Sequence, residues 1–238
     1  MKAIILAAGK GKRLRPLTKK IPKPLVKVSG FPILSYQINA LINLDITNII
    51  ICVGYKGKKI IEFCNSNYSN VDFTFINKSN LQSTNNLYSL YLAEKYLKKD
   101  ILLMNGDVIF DKEILEGMIK KPYSQIAVDK NNYLKESMKI KLDDSGYVKS
   151  ISKEISEEHS YGSSIDIYLI KENELIFFKE IMKKIIEIDK KLDVWTEFAL
   201  NKTLKNENVC FLPFEINDLN WIEIDDYDDL NKSKDLFN

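Results

Sequence analysis

Histidine is almost missing from this 238-residue chain: His159, in a Glu-rich loop, is the only one. That excludes a multi-histidine metal centre and weighs against a Ser-His-Asp mechanism. Cysteine is scarce as well. Cys52, Cys64 and Cys210 are odd in number and lack metal-ligand spacing. Cys52 and Cys210 fall in strand-like apolar runs, so both are expected to be small buried residues, and the cysteine usage reads as a reducing, cytoplasmic location. No apolar run reaches membrane-spanning length, and Ile4–Ala8, with only Lys2 before it, is too short for a signal peptide. Repeats, long linkers and low-complexity tracts are also lacking. The phosphate motif G-x-x-x-x-G-K-[ST] is not present, and Leu14 stands where G-x-G-x-x-G needs its third glycine. Finally, no acidic residue precedes Asp45, so the first 44 residues carry +9 in a chain whose net charge is +2.

What is present concentrates at that basic end. Lys2–Leu6 reads as a short buried strand emptying into Ala7, Ala8 and Gly9. Gly9 and Gly11 have no Cβ, so backbone N–H groups there can approach a ligand closely and form an anion-binding concavity. Arg13 offers a bidentate clamp for phosphate and Lys23 a point charge. Hydrophobic residues make up 45% and charged residues 29%, which fits one globular domain or a domain with a subdomain.

Further along, Pro32 opens a helix with Ile33, Tyr36, Leu41 and Leu44 turned inward. Asn48–Val53 is a buried parallel strand. A helix over 58–63, a strand over Asp72–Ile76, a helix over 84–97 and a strand over Ile101–Met104 follow. Strands alternating with helices imply a mixed, mostly parallel Rossmann-like sheet with helices on both faces, with the ligand beyond the carboxyl ends of the strands. Gly9, Gly54 and Asp107 each follow a strand and share that edge. The second half reads as short strands at 124–129, 138–142, 148–151 and 163–170, then helices over 172–187 and 194–204. Strands at 210–213 and 221–224 and a closing helix over 227–237 complete it. We read a single domain of two lobes: about 1–120 for nucleotide, and 121–238 for the acceptor and a C-terminal metal segment.

Asn105-Gly106-Asp107 sets a carboxylate at the mouth of a strand, although Gly-Asp is also a common turn. In Trp221-Ile222-Glu223-Ile224-Asp225, a strand would turn Ile222 and Ile224 to the core and Glu223 and Asp225 to the other face. That is either a solvated acidic edge or, with Asp107, a magnesium site of three carboxylates.

The string L-A-A-G-x-G-x-R-L followed by P-K-P-L at 22–25 resembles the signature of nucleotidyltransferases that activate sugar-1-phosphates and phospho-alcohols. W-I-E-I-D with D-Y-D-D-L, and N-N-L-Y-S-L-Y-L-A, are similar to the branch that includes phosphocholine cytidylyltransferases. The resemblance implies the GT-A-like nucleotidyltransferase fold with Mg²⁺ held by Asp107, Glu223 and Asp225. It implies catalytic roles for Arg13, Lys23 and Asp107, and a nucleotide site at Leu6, Ala7, Ala8, Gly9, Lys10, Gly11, Gln82, Ser83 and Asn85. Ser83-Thr84-Asn85-Asn86 also reads as a helix N-cap.

On the acceptor side the candidates are Asp129, Lys139, Lys153, Asp166, Trp195 and Glu197. Glu197 would pair with an ammonium and Trp195 face a quaternary amine; alternatively Trp195 is core and Glu197 a first-turn acid. No aromatic set near Asp129–Tyr133 makes a choline box, though Tyr133, Tyr161 and Tyr168 are available. Phosphocholine, phosphoethanolamine, an aminoalkylphosphonate, an amide-linked phosphate and a polyol phosphate therefore stay open. The expected partners are a nucleoside triphosphate, CTP favoured, and a small phosphorylated acceptor. Neither nucleic acid nor membrane is expected, and a homodimer is left open. The alternatives are a sugar-1-phosphate uridylyl- or thymidylyltransferase and an inactive nucleotide-binding subunit.

Overall fold

In the computed structural model, residues 1–78, 84–133 and 135–237 are described. The first half contains β1 (Lys2–Ala7), α1 (Leu17–Lys20), the small hairpin β2 (Lys27–Val28) and β3 (Phe31–Pro32), and α2 (Ile33–Ile42). It continues through β4 (Asn48–Val53), α3 (Gly57–Asn67), β5 (Asp72–Asn77), α4 (Asn86–Leu92), β6 (Ile101–Asn105), β7 (Val108–Phe110) and α5 (Glu113–Ile119). The second half holds β8 (Ser124–Asp129), β9 (Lys139–Leu142), β10 (Val148–Ser152), β11 (Gly162–Ile170), α6 (Glu172–Lys183) and α7 (Thr196–Thr203). It ends with β12 (Phe211–Glu215), β13 (Trp221–Glu223) and α8 (Tyr227–Leu236).

The main sheet runs β10-β9-β11-β6-β1-β4-β5, with β8 pairing to β11 and β12. Its centre is parallel, β1 lying between β4 and β6, and it turns antiparallel where β11 joins β6. The central strands are apolar throughout because both faces are covered. Along β1, Ala3, Ile5 and Ala7 pack on one side with Ile38, Leu41 and Ile60 from α2 and α3. Ile4 and Leu6 pack on the other with Leu87, Leu90, Phe178 and Leu200 from α4, α6 and α7. This period of two puts helices on both faces, as expected from the sequence. A third cluster joins Leu14, Val26, Ile33, Ile109, Ile224 and Leu230, seating the C-terminal segment against the basic loop.

Several boundaries differ from the sequence reading. The expected helix over 84–97 is α4 followed, after Ala93, by a 3-10 turn at Glu94–Tyr96. The helix expected over 172–187 leaves α-geometry at Lys184 and closes through a π turn. Cys52 is buried as expected, but Cys210 is exposed, since β12 begins one residue after it. β13 pairs with β7 in a separate two-stranded sheet instead of extending the main one. Among the described residues no helix is long and apolar enough to cross a membrane.

Candidate active site

The carboxyl ends of β1 and β6 are tied together: the Gly106 amide donates to the Leu6 carbonyl at 3.0 Å. A Cβ on Gly106 would stand 3.0 Å from both that oxygen and the Ala7 Cβ, so any larger residue would push β1 and β6 apart by a few tenths of an ångström and the close approach favours glycine. Gln37 of α2 holds the same turn from below, its Nε2 donating to the carbonyls of Asn105 and Val108. Asp107 is thereby delivered to the sheet edge. Its own carbonyl accepts the Ile224 amide at 3.0 Å, which docks the strand carrying Glu223 and Asp225 beside it.

Opposite, the glycine loop folds over Lys23. Gly11 has φ +56°, and a Cβ there would lie 2.9 Å from the Lys23 Cβ. The Thr18 hydroxyl pins the loop by donating to the Gly11 carbonyl at 2.7 Å. Lys23, set between Pro22 and Pro24, sends its buried ammonium to Asp107 Oδ2 and Asp225 Oδ1, both at 2.7 Å. Burial opposes that charge, but the two carboxylates more than offset it, and the ammonium is held well above its ordinary value. Arg13 reaches Asp225 Oδ2 at 2.6 Å from a largely exposed position. Burial would raise the Asp225 carboxyl, yet Lys23 and Arg13 hold it low.

Single carboxylate oxygens of Asp107, Glu223 and Asp225 lie within 4.8 Å of one another. Asp107 Oδ1 is buried with no hydrogen-bond partner among the described residues. Leaving such an acceptor unpaired costs about 1–3 kcal/mol or more for a charged group. The Glu223 carboxyl is pushed well up, by burial and by Asp107, Asp166 and Asp225. Three hard oxygen donors, one of them orphaned, fit a magnesium ion that keeps several waters or phosphate oxygens.

A cleft of about 1420 Å³ runs past this cluster. On one side it is lined by Leu6, Ala8, Gly9, Lys10, Gly11, Arg13 and Asn85; on the other by Lys153, Asp166, Trp195 and Glu197. Asp166 sits where the β11–β8 register shifts, with φ +60°, and this irregularity turns its carboxyl into the cleft. The Tyr168 hydroxyl lies 2.9 Å from Glu197 Oε1 and 3.1 Å from Asp166 Oδ1, so one hydrogen serves two carboxyls. Burial, with Glu197 and Asp107 adding, pushes the Asp166 carboxyl up to about 8. Burial also raises Glu197, which is 3% exposed. Trp195 is 46% exposed, which corrects its reading as core, and the Lys153 ammonium stands 4.9 Å from its ring centroid.

Other expected site residues lie off the cleft. Ala7 belongs to the core, and Lys23 sits beneath the lining, not in it. Asp129 is buried as a strut, accepting from the Trp221 indole at 2.7 Å, the Asn132 side chain at 2.7 Å and the Asn131 amide at 2.8 Å. Lys139 is buried and turns back to the Lys135 carbonyl at 2.8 Å. Gly54 lines a separate hollow beside α3. Gln82 and Ser83 lie outside the described residues. Asn86, read from the sequence only within the N-cap run and the N-N-L-Y string, accepts the Thr196 amide on its Oδ1 at 2.8 Å, and sequence reasoning gave no role to Asn105, which donates to Asp166 Oδ2 at 2.9 Å. The signal for Asn105 was adjacency to Gly106-Asp107.

Residues 2–152 match the model of the nucleotidyl transferase family. A CMP-5'-(3-aminopropyl)phosphonate synthase of Streptomyces rubellomurinus is 27% identical over 235 residues, 95% of this chain and 37% of that protein. A UTP–glucose-1-phosphate uridylyltransferase of Haloferax volcanii is 37% identical over 114 residues, 48% of this chain and 46% of that protein. The matched stretch thus covers less than half the length of each of these curated relatives. Among solved structures, the CTP:phosphocholine cytidylyltransferase of Streptococcus pneumoniae superposes with a TM-score of 0.82 at 24% identity, covering 100% of this chain and 99% of that one. An inositol-1-phosphate CTP transferase from T. maritima gives 0.82 at 21%, covering 99% and 94%. These likenesses show the shared mixed-sheet fold. With the family match over residues 2–152, the chain belongs to the nucleotidyl transferase family.

Proposed function

We propose that this chain transfers a cytidylyl group from CTP to an oxygen of a small phosphorylated alcohol, amine or phosphonate, releasing pyrophosphate. The observation that carries the reading is the convergence of Asp107, Glu223 and Asp225 beside Lys23, at the mouth of a glycine loop. The acceptor oxygen attacks the α-phosphorus as the bond to the bridging β-oxygen breaks. The acceptor oxyanion is already a nucleophile, so the protein supplies position and charge instead of a covalent intermediate.

Asp107, Glu223 and Asp225 would hold Mg²⁺, which when bound supplies positive charge against the triphosphate. Arg13 and the amides of Gly9–Gly11 bind the β- and γ-phosphates. Lys23 orients the two aspartates and offsets charge beneath the reacting phosphate. Trp195, Lys153, Asp166 and Glu197 form the acceptor side. Cytidylyl transfer is preferred to uridylyl transfer because the phosphonate relative aligns over 95% of this chain, against 48% for the uridylyltransferase.

The test is pyrophosphate release with Mg²⁺ over a grid. CTP, UTP, dTTP, ATP and GTP are paired with phosphocholine, phosphoethanolamine, 2-aminoethylphosphonate, polyol phosphates and sugar-1-phosphates. Turnover in the CTP column is expected. Turnover confined to UTP or dTTP with a sugar phosphate would replace this reading with the sugar branch.

A further inference from the structure

Two buried polar groups at the nucleotide end of the cleft are assigned no part in the chemistry above. Ser89, on the first turns of α4, is 2% exposed, and its hydroxyl oxygen is buried without a hydrogen-bond partner among the described residues although the residue lines the cleft. A helical serine ordinarily returns its hydroxyl to a carbonyl of the preceding turn; this one does not. Lys78, one residue past β5, is 6% exposed and lines the same corner. Its ammonium donates to the Thr84 and Asn85 carbonyls, each at 3.0 Å. Among the described residues no carboxylate lies within ion-pair reach of it. Cys52 links the two: its Sγ donates to the Ser89 carbonyl at 3.3 Å, and its thiol, raised by burial, lies within the field of the Lys78 ammonium.

An ammonium carries three donors and no acceptor, whereas a hydroxyl both donates and accepts. Among the described residues two of the Lys78 donors are used, which leaves one. Cytosine presents two adjacent acceptors, O2 and N3, beside an amino group. Uracil presents O2 and O4 on either side of an N3–H donor, so an ammonium aimed at N3 would meet it donor to donor.

Resting on the cytidylyl reading above, we infer that Lys78 and Ser89 read the pyrimidine edge of the nucleotide, and that Lys78 selects cytosine over uracil because it only donates. Ser89 then takes the hydrogen of the cytosine amino group. Lys78 also holds the turn before α4, so the test must separate selection from support.

Isothermal titration of the full chain with CTP and with UTP, Mg²⁺ present and no acceptor needed, makes that separation. The wild-type chain is expected to favour CTP at least about tenfold, the size of one well-made hydrogen bond. Lys78→Arg, still a pure donor, keeps the preference. Lys78→Gln, which can accept from N3–H, brings the two affinities to within about threefold. Ser89→Ala weakens CTP binding about tenfold while its melting temperature holds or rises. If Lys78→Gln weakens both nucleotides equally, Lys78 is a strut only and the inference falls while the proposed function stands. It falls alone as well if Ser89→Ala binds CTP like the wild type. A wild-type chain that prefers UTP, or binds neither, overturns both.

Discussion

Among the described residues the Asp166 carboxyl meets a phenol, an amide and the field of a second carboxyl, but no cation. Its φ of +60° is one that Asn tolerates better than most residues, so Asp166→Asn removes the charge and spares the backbone. The sign of its effect follows from linkage. An unfolded aspartate titrates near about 3.9, and here the folded group titrates at about 8. Between those values the folded state holds the extra proton, so stability is full below the lower one and falls as pH rises through the higher. In metal-free protein the melting temperature should decline from pH 5 to pH 8.5. Asp166→Asn should flatten that decline and melt higher at pH 8.5, with little change at pH 5. A decline of equal slope in the variant, followed by calorimetry, would assign it elsewhere.

Lys23 works in the opposite sense, as a cation that keeps two carboxylates together. Lys23→Met should destabilise by on the order of 2–4 kcal/mol, less than for a fully buried pair because both aspartates keep some water. Turnover should fall by roughly 3–4 kcal/mol of barrier. Added Mg²⁺ should raise the melting temperature of the variant more than that of the wild type, since it replaces part of the missing charge. An equal rise in both would separate Lys23 from the cation site.

Among the elements, α8 does more than end the chain. Asp226 caps it, accepting the Asp228 amide at 2.9 Å and the Asp229 amide at 3.1 Å. Asp229 answers by accepting the amides of Asp225 and Asp226 at 3.0 and 3.2 Å. The capping box therefore sets the backbone of a site carboxylate. Asp226→Ala should cost about 1 kcal/mol in urea unfolding. Asp229→Ala should also weaken Mg²⁺ binding by titration, whereas a purely structural loss would leave it unchanged.

This element shows what sequence can and cannot disclose. The alternation of Trp221–Asp225 correctly puts Ile224 in the core and Glu223 and Asp225 at the cleft, but Ile222, expected in the core, is only half-buried against the third cluster and also lines the cleft. The capping box was legible only as acidic neighbours, because its meaning depends on where the helix starts. Asp129 looked like an acceptor ligand for a similar reason: its partner, the Trp221 indole, stands 92 positions away. Lys139 misled because a long side chain can leave the face its strand position assigns.

At the scale of the molecule, the strands shielded on both faces were legible as apolar runs, and from them the parallel centre of the sheet. The join between halves was not, since antiparallel pairing of β11 to β6 leaves no local mark. That join makes the two halves of the chain one hydrogen-bonded sheet, with Ile167 opposite Met104 and Ile170 opposite Ile101. Unfolding should be a single transition with matching calorimetric and van't Hoff enthalpies. Residues 1–120 alone should fail to give protected amides in β6, and a protected, cooperative fragment would show that the halves fold independently.

The two tryptophans make the cleft optically visible. Trp221 is half-buried with its indole hydrogen fixed on Asp129, while Trp195 stands in water beneath Lys153. Emission from the free protein should therefore contain a red, iodide-quenchable share from Trp195 and a share from Trp221 that resists quenching. An acceptor settling against Trp195 would shift the first toward blue and shield it, and a nucleotide alone would not, so arrival of the second substrate can be watched before any bond is made.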